Sequence, residues 1–295
     1  MEEEVKNGKN FKICSGFVLK IVAFVTMAID HIGLMAAIYG YTYQIFDVFR
    51  IIGRIAMPLF CFMIVEGVIH TKSFKKYILR LSILAAVIGL AIFLLVTIKE
   101  LGFSGVRDFG NIFMDLFLGA LTIFCLRQKG FKKLFALIPT AFVILSFTVS
   151  KVEAVQHIQI HWFPYFLRCQ YHLMSFAFIV FFYFSYVIKD AFLKMHAKSM
   201  GLPEDTFIGT DLDRNTVNVL SMMFLLSLVL LFHFLSDYLT VSYMGVQIYA
   251  LFSGAFILLY NGKRGYNSKW FEYGGYLFYP IHILLIALVF YLLSL

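Results

Sequence analysis

The feature that most constrains this chain is a recurring one. Apolar runs of about 18 to 22 residues follow each other along it, each the length an α-helix needs to cross the hydrocarbon of a bilayer. Nine runs are read, near 17–38, 52–70, 77–98, 111–127, 132–150, 172–189, 217–236, 240–260 and 273–294. A membrane barrel would instead show short segments of alternating hydropathy. Composition agrees with helices. Of the 295 residues 61% are hydrophobic and 14% charged, where a soluble domain carries roughly a quarter charged. Mean hydropathy is +0.85. Thirty-five Phe and 17 Tyr suit lipid contact and the interfacial belt. The expected fold is all-α: a polytopic membrane bundle of about nine transmembrane helices, forming a single domain over 1–295.

Charge gives this bundle a direction. With the N-terminus placed in the cytoplasm, 19 of the 25 basic residues fall on cytoplasmic segments. Six, Arg50, Arg54, Lys99, Arg107, Lys151 and Arg168, fall on the other side. The positive-inside rule then predicts N-in and C-out. The same asymmetry accounts for the net charge of +8 without a nucleic-acid partner. The opening "MEEEVKNGKNFK" carries three Glu and no cleavage site follows, so the first helix is expected to be retained. Cys14, Cys61, Cys125 and Cys169 form no CxxC pair and read as small hydrophobes. No internal repeat or low-complexity tract is visible. The segment "HIQIHWFPYFLRCQYH" after the fifth run lies in the interface or re-enters the membrane.

Ionisable side chains inside membrane spans are costly and usually face an interior cavity. The first run, "LKIVAFVTMAIDHIGLMA", holds Lys20, Asp30 and His31. Eleven residues of helix place His31 about 16 Å from Lys20, near the far side of the midplane. Lys20 can snorkel to the cytoplasmic face. Adjacent helical residues point about 100° apart, so Asp30 and His31 each need a partner from another helix. A structural clamp between helices is the plainer alternative. Arg50 and Arg54 are i, i+4, suited to phosphate or carboxylate groups, or to an ion pair of Arg54 with Asp30. Glu66 and His70 repeat that spacing at the inner end of the same run; one such pair does not make a metal site. Asn111 and Asp115 repeat it again, and Asn111 fits a helix cap as well as a binding role. In "YLFYPIHILLI", Tyr279 and His282 flank Pro280, which removes a backbone donor inside the last run.

"LKIVAFVTMAIDHIG", "RIIGRIAMPLFCFMIVEGVIHT", "NIFMDLFLGAL" and "LLYNGKRG…FYPIHILLI" together resemble the TraX family, named for a protein implicated in N-terminal acetylation of F-type pilin. The resemblance covers both ends and much of the first 130 residues. The family is similar to the wider membrane acyltransferases, whose first helix carries a basic residue, ten intervening residues and a His; Lys20 and His31 fit that spacing. It implies an enzyme of the bacterial plasma membrane that moves an acetyl group from cytosolic acetyl-CoA to an amine or hydroxyl on the outer side. The acceptor would be a peptide N-terminus, a glycan or a lipid headgroup. His31 is then expected as general base, or as a transient acetyl-imidazole nucleophile, with His282 as the rival base and Asp30 in support. Lys20, Arg50, Arg54, Lys263 and Arg264 are expected on the donor side, and Asn111, Glu66, His70 and Tyr279 near the acceptor. No metal is expected. A transporter or flippase whose buried charges line a substrate path is the competing class.

Overall fold

The computed structural model describes residues 13–41, 43–97, 110–235 and 244–293. The expected positions Lys6, Lys9, Lys12, Lys99 and Arg107 lie outside them. The described chain is helical: α1 (Gly16–Ile38), α2 (Gln44–Gly53), α3 (Ala56–His70), α4 (Phe74–Thr97), α5 (Ile112–Leu126), α6 (Leu137–Gln156), α7 (Leu173–Ser199), α8 (Asp211–Phe234), two short pieces α9 (Met244–Gln247) and α10 (Ser253–Leu258), and α11 (Lys269–Leu293). Among the described residues seven segments are long and apolar enough to cross a membrane: Gly16–Ile38, Gln44–His70, Phe74–Leu94, Gly130–Gln156, Leu173–Ser199, Asp211–Phe234 and Trp270–Leu293. Two expected spans are shorter apolar helices, Ile112–Leu126 and Gly245–Leu258. This is a multi-pass membrane protein.

Helix α3 is the axle. Leu59, Phe62, Val65 and Val68 are fully buried along it, against Phe178 and Phe182 of α7, Leu19 of α1 and Ile123 of α5. Phe62 meets Phe182 and Tyr260 edge-on, with centroids 5.7 and 5.6 Å apart. In lipid, tail and side chain are equally apolar, so such fit rather than water exclusion holds the helices together. The outer surface is correspondingly oily. Leu79, Ile83, Val87 and Leu90 project from α4, and Leu277, Ile281, Leu284 and Leu288 from α11. Apolar exposure on this scale would aggregate in water and is ordinary against lipid.

Two details depart from the sequence reading, and the 157–172 segment fills in one left open. The second expected span, 52–70, is α3 preceded by a further helix: Arg54 and Ile55 keep helical backbone angles in a turn that joins it to α2, and Gln44–His70 together form one candidate crossing. The segment 157–172 folds over one end of the bundle: Arg168, buried on it, pairs with Glu153 and donates to the Phe163 carbonyl. Finally, α11 runs through Pro280 without a break. The ring removes one ladder donor, and the turns on either side keep the helix.

Candidate functional site

The site begins with how α1 meets α2. Gly53 ends α2, and a Cβ there would overlap the Asp30 carboxylate. Gly33 of α1 likewise lies against the Phe46 carbonyl and the Arg50 side chain. These two missing side chains let the helices close on Asp30. Its carboxylate is then taken from both sides: Arg50 Nη1 donates to Oδ2 at 2.7 Å, and Arg54 Nη2 donates to Oδ1. Arg54 Nε also donates to the Arg50 carbonyl at 2.9 Å, satisfying a free acceptor at the end of α2. Arg54 is 3% exposed. The ion pair expected between Arg54 and Asp30 is present, with Arg50 as a third member. Two guanidinium groups share one carboxylate, so the cluster is net positive.

One residue on, the next side chain of α1 turns elsewhere. His31 Nδ1 lies 2.7 Å from His282 Nε2 of α11, a contact between positions 251 apart in sequence. Both rings are buried. His282 Nδ1 reaches the Phe278 carbonyl at 2.6 Å, and its ring stacks on Phe278 with centroids 4.6 Å apart. Tyr279 stands edge-on to both histidines and packs against Phe113 of α5. His31, His282, Asp30, Arg50, Arg54 and Tyr279 are thus brought together from α1, α2, the turn after it and α11.

Helix α5 and the 157–172 segment close the same end. Asn111 is the N-cap of α5: Oδ1 accepts from Phe113 N at 3.0 Å, and Nδ2 donates to the Ala85 carbonyl of α4 at 2.7 Å. Asp115 is fully buried and accepts from Gln170 N, Tyr171 N and Ser175 Oγ, at 2.6, 3.2 and 2.5 Å. It thereby fixes Tyr171 within electrostatic reach of Asp30, Arg50 and Arg54.

The other expected residues lie toward the opposite end. Lys263 and Arg264 present their carbonyls to Gly16 N and Phe17 N, at 2.8 and 3.0 Å, so their loop sits on the start of α1. Lys20 is one turn further in, over the Phe271 ring and within reach of Arg264 and Glu272. From there an apolar groove of about 520 Å³ runs between α1 and α11, from Ile21 and Trp270 to Ile32 and Phe278. By helix rise it is about 16 Å long. It ends against the ring that stacks on His282. Glu66 and His70 are not at the histidine pair. Glu66 is about 18 Å of helix beyond Arg54, where it accepts from Arg214 at 2.7 Å, from Tyr186, and from Tyr260 at 3.2 Å, with His70 Nε2 at 3.4 Å. No group of three metal-ligating side chains occurs among the described residues.

Residues 15–290 match the family described as TraX protein. The chain belongs to the TraX family. It is 29% identical over 112 residues to the "Probable fimbrial assembly protein FimC, serogroup H1" of Dichelobacter nodosus, an alignment covering 37% of this chain and 45% of that protein. It is 54% identical over 44 residues to the uncharacterized protein RP591 of Rickettsia prowazekii, 15% of each chain. The chain therefore spans less than half the length of either relative in these alignments. No solved structure matches it significantly.

In this TraX-family chain the sequence reading left Tyr171, Arg214, Tyr186 and Tyr260 without a role. The legible signals among their neighbours are Asp115 and Glu66, since a carboxylate inside an apolar run must find donors.

Proposed function

We propose that this TraX-family protein is an acetyltransferase of the bacterial plasma membrane. It takes the acetyl group from acetyl-CoA at the cytoplasmic face and delivers it to an amine or hydroxyl on the outer side. The observation that carries the reading is the buried His31–His282 pair beside the Asp30–Arg50–Arg54 cluster. Acetyl transfer needs a base at the attacking atom, and neutral imidazole is the side chain suited to that task. The family is named for a protein implicated in pilin acetylation, and the FimC relative is named for fimbrial assembly. Both favour a peptide N-terminus as acceptor.

In this reading the N-terminus is cytoplasmic, as the basic excess predicts. Lys20, Lys263 and Arg264 hold the phosphates of the donor at the mouth. The apolar groove along α1 takes the donor's arm and brings the thioester to the histidines. The acceptor nitrogen or oxygen attacks the thioester carbonyl, and the histidine pair takes its proton. The C–S bond breaks, the acetyl group stays on the acceptor, and the proton passes to the departing thiolate to give CoA–SH. Arg50, held by Asp30 and with 25% of its side chain exposed, stabilises the oxyanion in this reading.

The test is a thermal shift of the purified protein in detergent with acetyl-CoA, against a ligand-free control. A donor that binds the folded state raises its stability. Stabilisation is the expected result. No shift at millimolar acetyl-CoA, with uptake of an unmodified solute into vesicles, would move the assignment to a transporter.

A further inference from the structure

We infer that His282 is a positioning residue, and that the proton acceptor of the site is Nε2 of His31. The inference deepens the acyltransferase reading and rests on it for its activity measurement alone.

The argument starts from an atom that has no choice. The Phe278 carbonyl oxygen only accepts, so the 2.6 Å contact requires the hydrogen on His282 Nδ1. In a neutral imidazole the other nitrogen is then a lone-pair acceptor. His282 Nε2 faces His31 Nδ1 at 2.7 Å, so that hydrogen must sit on His31. His31 Nε2 is left with its lone pair, and it makes no hydrogen bond among the described residues. A charged His282 would reverse the second bond. It would also add a cation beside Arg50 and Arg54, which already outnumber the single Asp30 carboxylate.

The chain of bonds therefore runs one way, from His31 through His282 to a main-chain carbonyl. It has the logic of a base oriented by a third group, with an imidazole in place of a carboxylate. Stacking on Phe278 limits rotation of the His282 ring, and Tyr279 flanks both rings. When His31 Nε2 takes a proton, the His282 Nε2 lone pair still accepts from Nδ1–H of the cation. Nothing in the sequence announces this, because neither histidine has a local partner of its own.

The direct test is nitrogen NMR of the full chain in nanodiscs with ¹⁵N-labelled histidine, the His31 signals being assigned by their loss in His31→Ala. The expected result is a protonated Nδ1 and an unprotonated Nε2 on His31. A protonated Nε2 with a bare Nδ1 would overturn the inference. Activity supplies the second arm, read as acetyl label transferred from acetyl-CoA. His31→Ala and His31→Gln both fall by ~100-fold or more, the usual contribution of a general base. His282→Ala falls comparably, whereas His282→Gln stays within ~10-fold of wild type, because its amide oxygen can accept from His31 Nδ1–H. A folded His282→Gln as inactive as His282→Ala would make His282 itself the base and refute the positioning role. If the wild type transfers no label, the enzyme reading fails, and the NMR result still decides which nitrogen carries the proton.

Discussion

Asp30→Asn is the substitution whose cost the geometry fixes best. It keeps shape and volume and removes one negative charge that two arginines share. Arg54 is 3% exposed and cannot turn to solvent, so its guanidinium keeps the Arg50 carbonyl but loses the carboxylate that offsets its charge. Breaking a buried ion pair from one side costs about 3–5 kcal/mol. Arg50, with 25% of its side chain exposed, can turn outward and adds about 1 kcal/mol at most. The two arms share one carboxylate and do not add, so the total stays at about 3–5 kcal/mol. The assay is reversible unfolding in mixed micelles by SDS titration, followed by circular dichroism. Arg54→Gln in the same protein should rescue part of the loss, with a coupling of about 2 kcal/mol across the double-mutant cycle. An Asp30→Asn protein within about 0.5 kcal/mol of wild type would refute the idea that the buried carboxylate of the cluster is the seat for α2.

Further outcomes follow from the same geometry. Gly53→Ala drives a methyl into the Asp30 carboxylate and should cost about 1–3 kcal/mol in the same titration; an unchanged midpoint would mean α1 and α2 have slack. At Gly274, which lines the groove, an added Cβ meets nothing within 4 Å. Gly274→Leu should therefore fold normally yet raise KM for acetyl-CoA by about tenfold, about 1.4 kcal/mol of binding; an unchanged KM would remove the groove from the donor's path. Glu66→Gln takes the balancing carboxylate from Arg214 and leaves it Tyr186, and should destabilise by about 3 kcal/mol at most, while kcat of the folded fraction holds; a selective loss of kcat would bring Glu66 into the chemistry.

Much of this structure is legible in the sequence because membranes restrict the options. Run length places α1, α3, α4, α5 and α11 to within about four residues, since only a helix satisfies its own backbone in lipid. It finds α7 and α8 but misplaces the end of α7, at 199 rather than 189, and the start of α8, at 211 rather than 217. That α2 precedes the second run and turns into α3 at Arg54 is not legible. Its cause is tertiary: Gly53 is small so that Asp30 can approach, and the turn at Arg54 aims that side chain back at α1. In the site, helical spacing reaches only partners three or four residues apart. That suffices to notice Arg50 with Arg54 and to suspect Asp30 as their partner. It is blind to His31 with His282, which depends on how α11 leans on α1. The same blindness hid Glu66's partners. Arg214 counts as one more basic loop residue until the first turn of α8 points it at α3.

The central claim is that acetyl groups leave acetyl-CoA through this site by way of His31. It is tested most directly in sealed inside-out vesicles carrying the full-length protein, supplied with acetyl-labelled acetyl-CoA on the exposed cytoplasmic face. Label recovered on membrane or lumenal acceptors is compared for wild type and a folded His31→Ala variant. The account predicts label transfer by wild type and a loss of ~100-fold or more in the variant. Equal labelling of the two would contradict it.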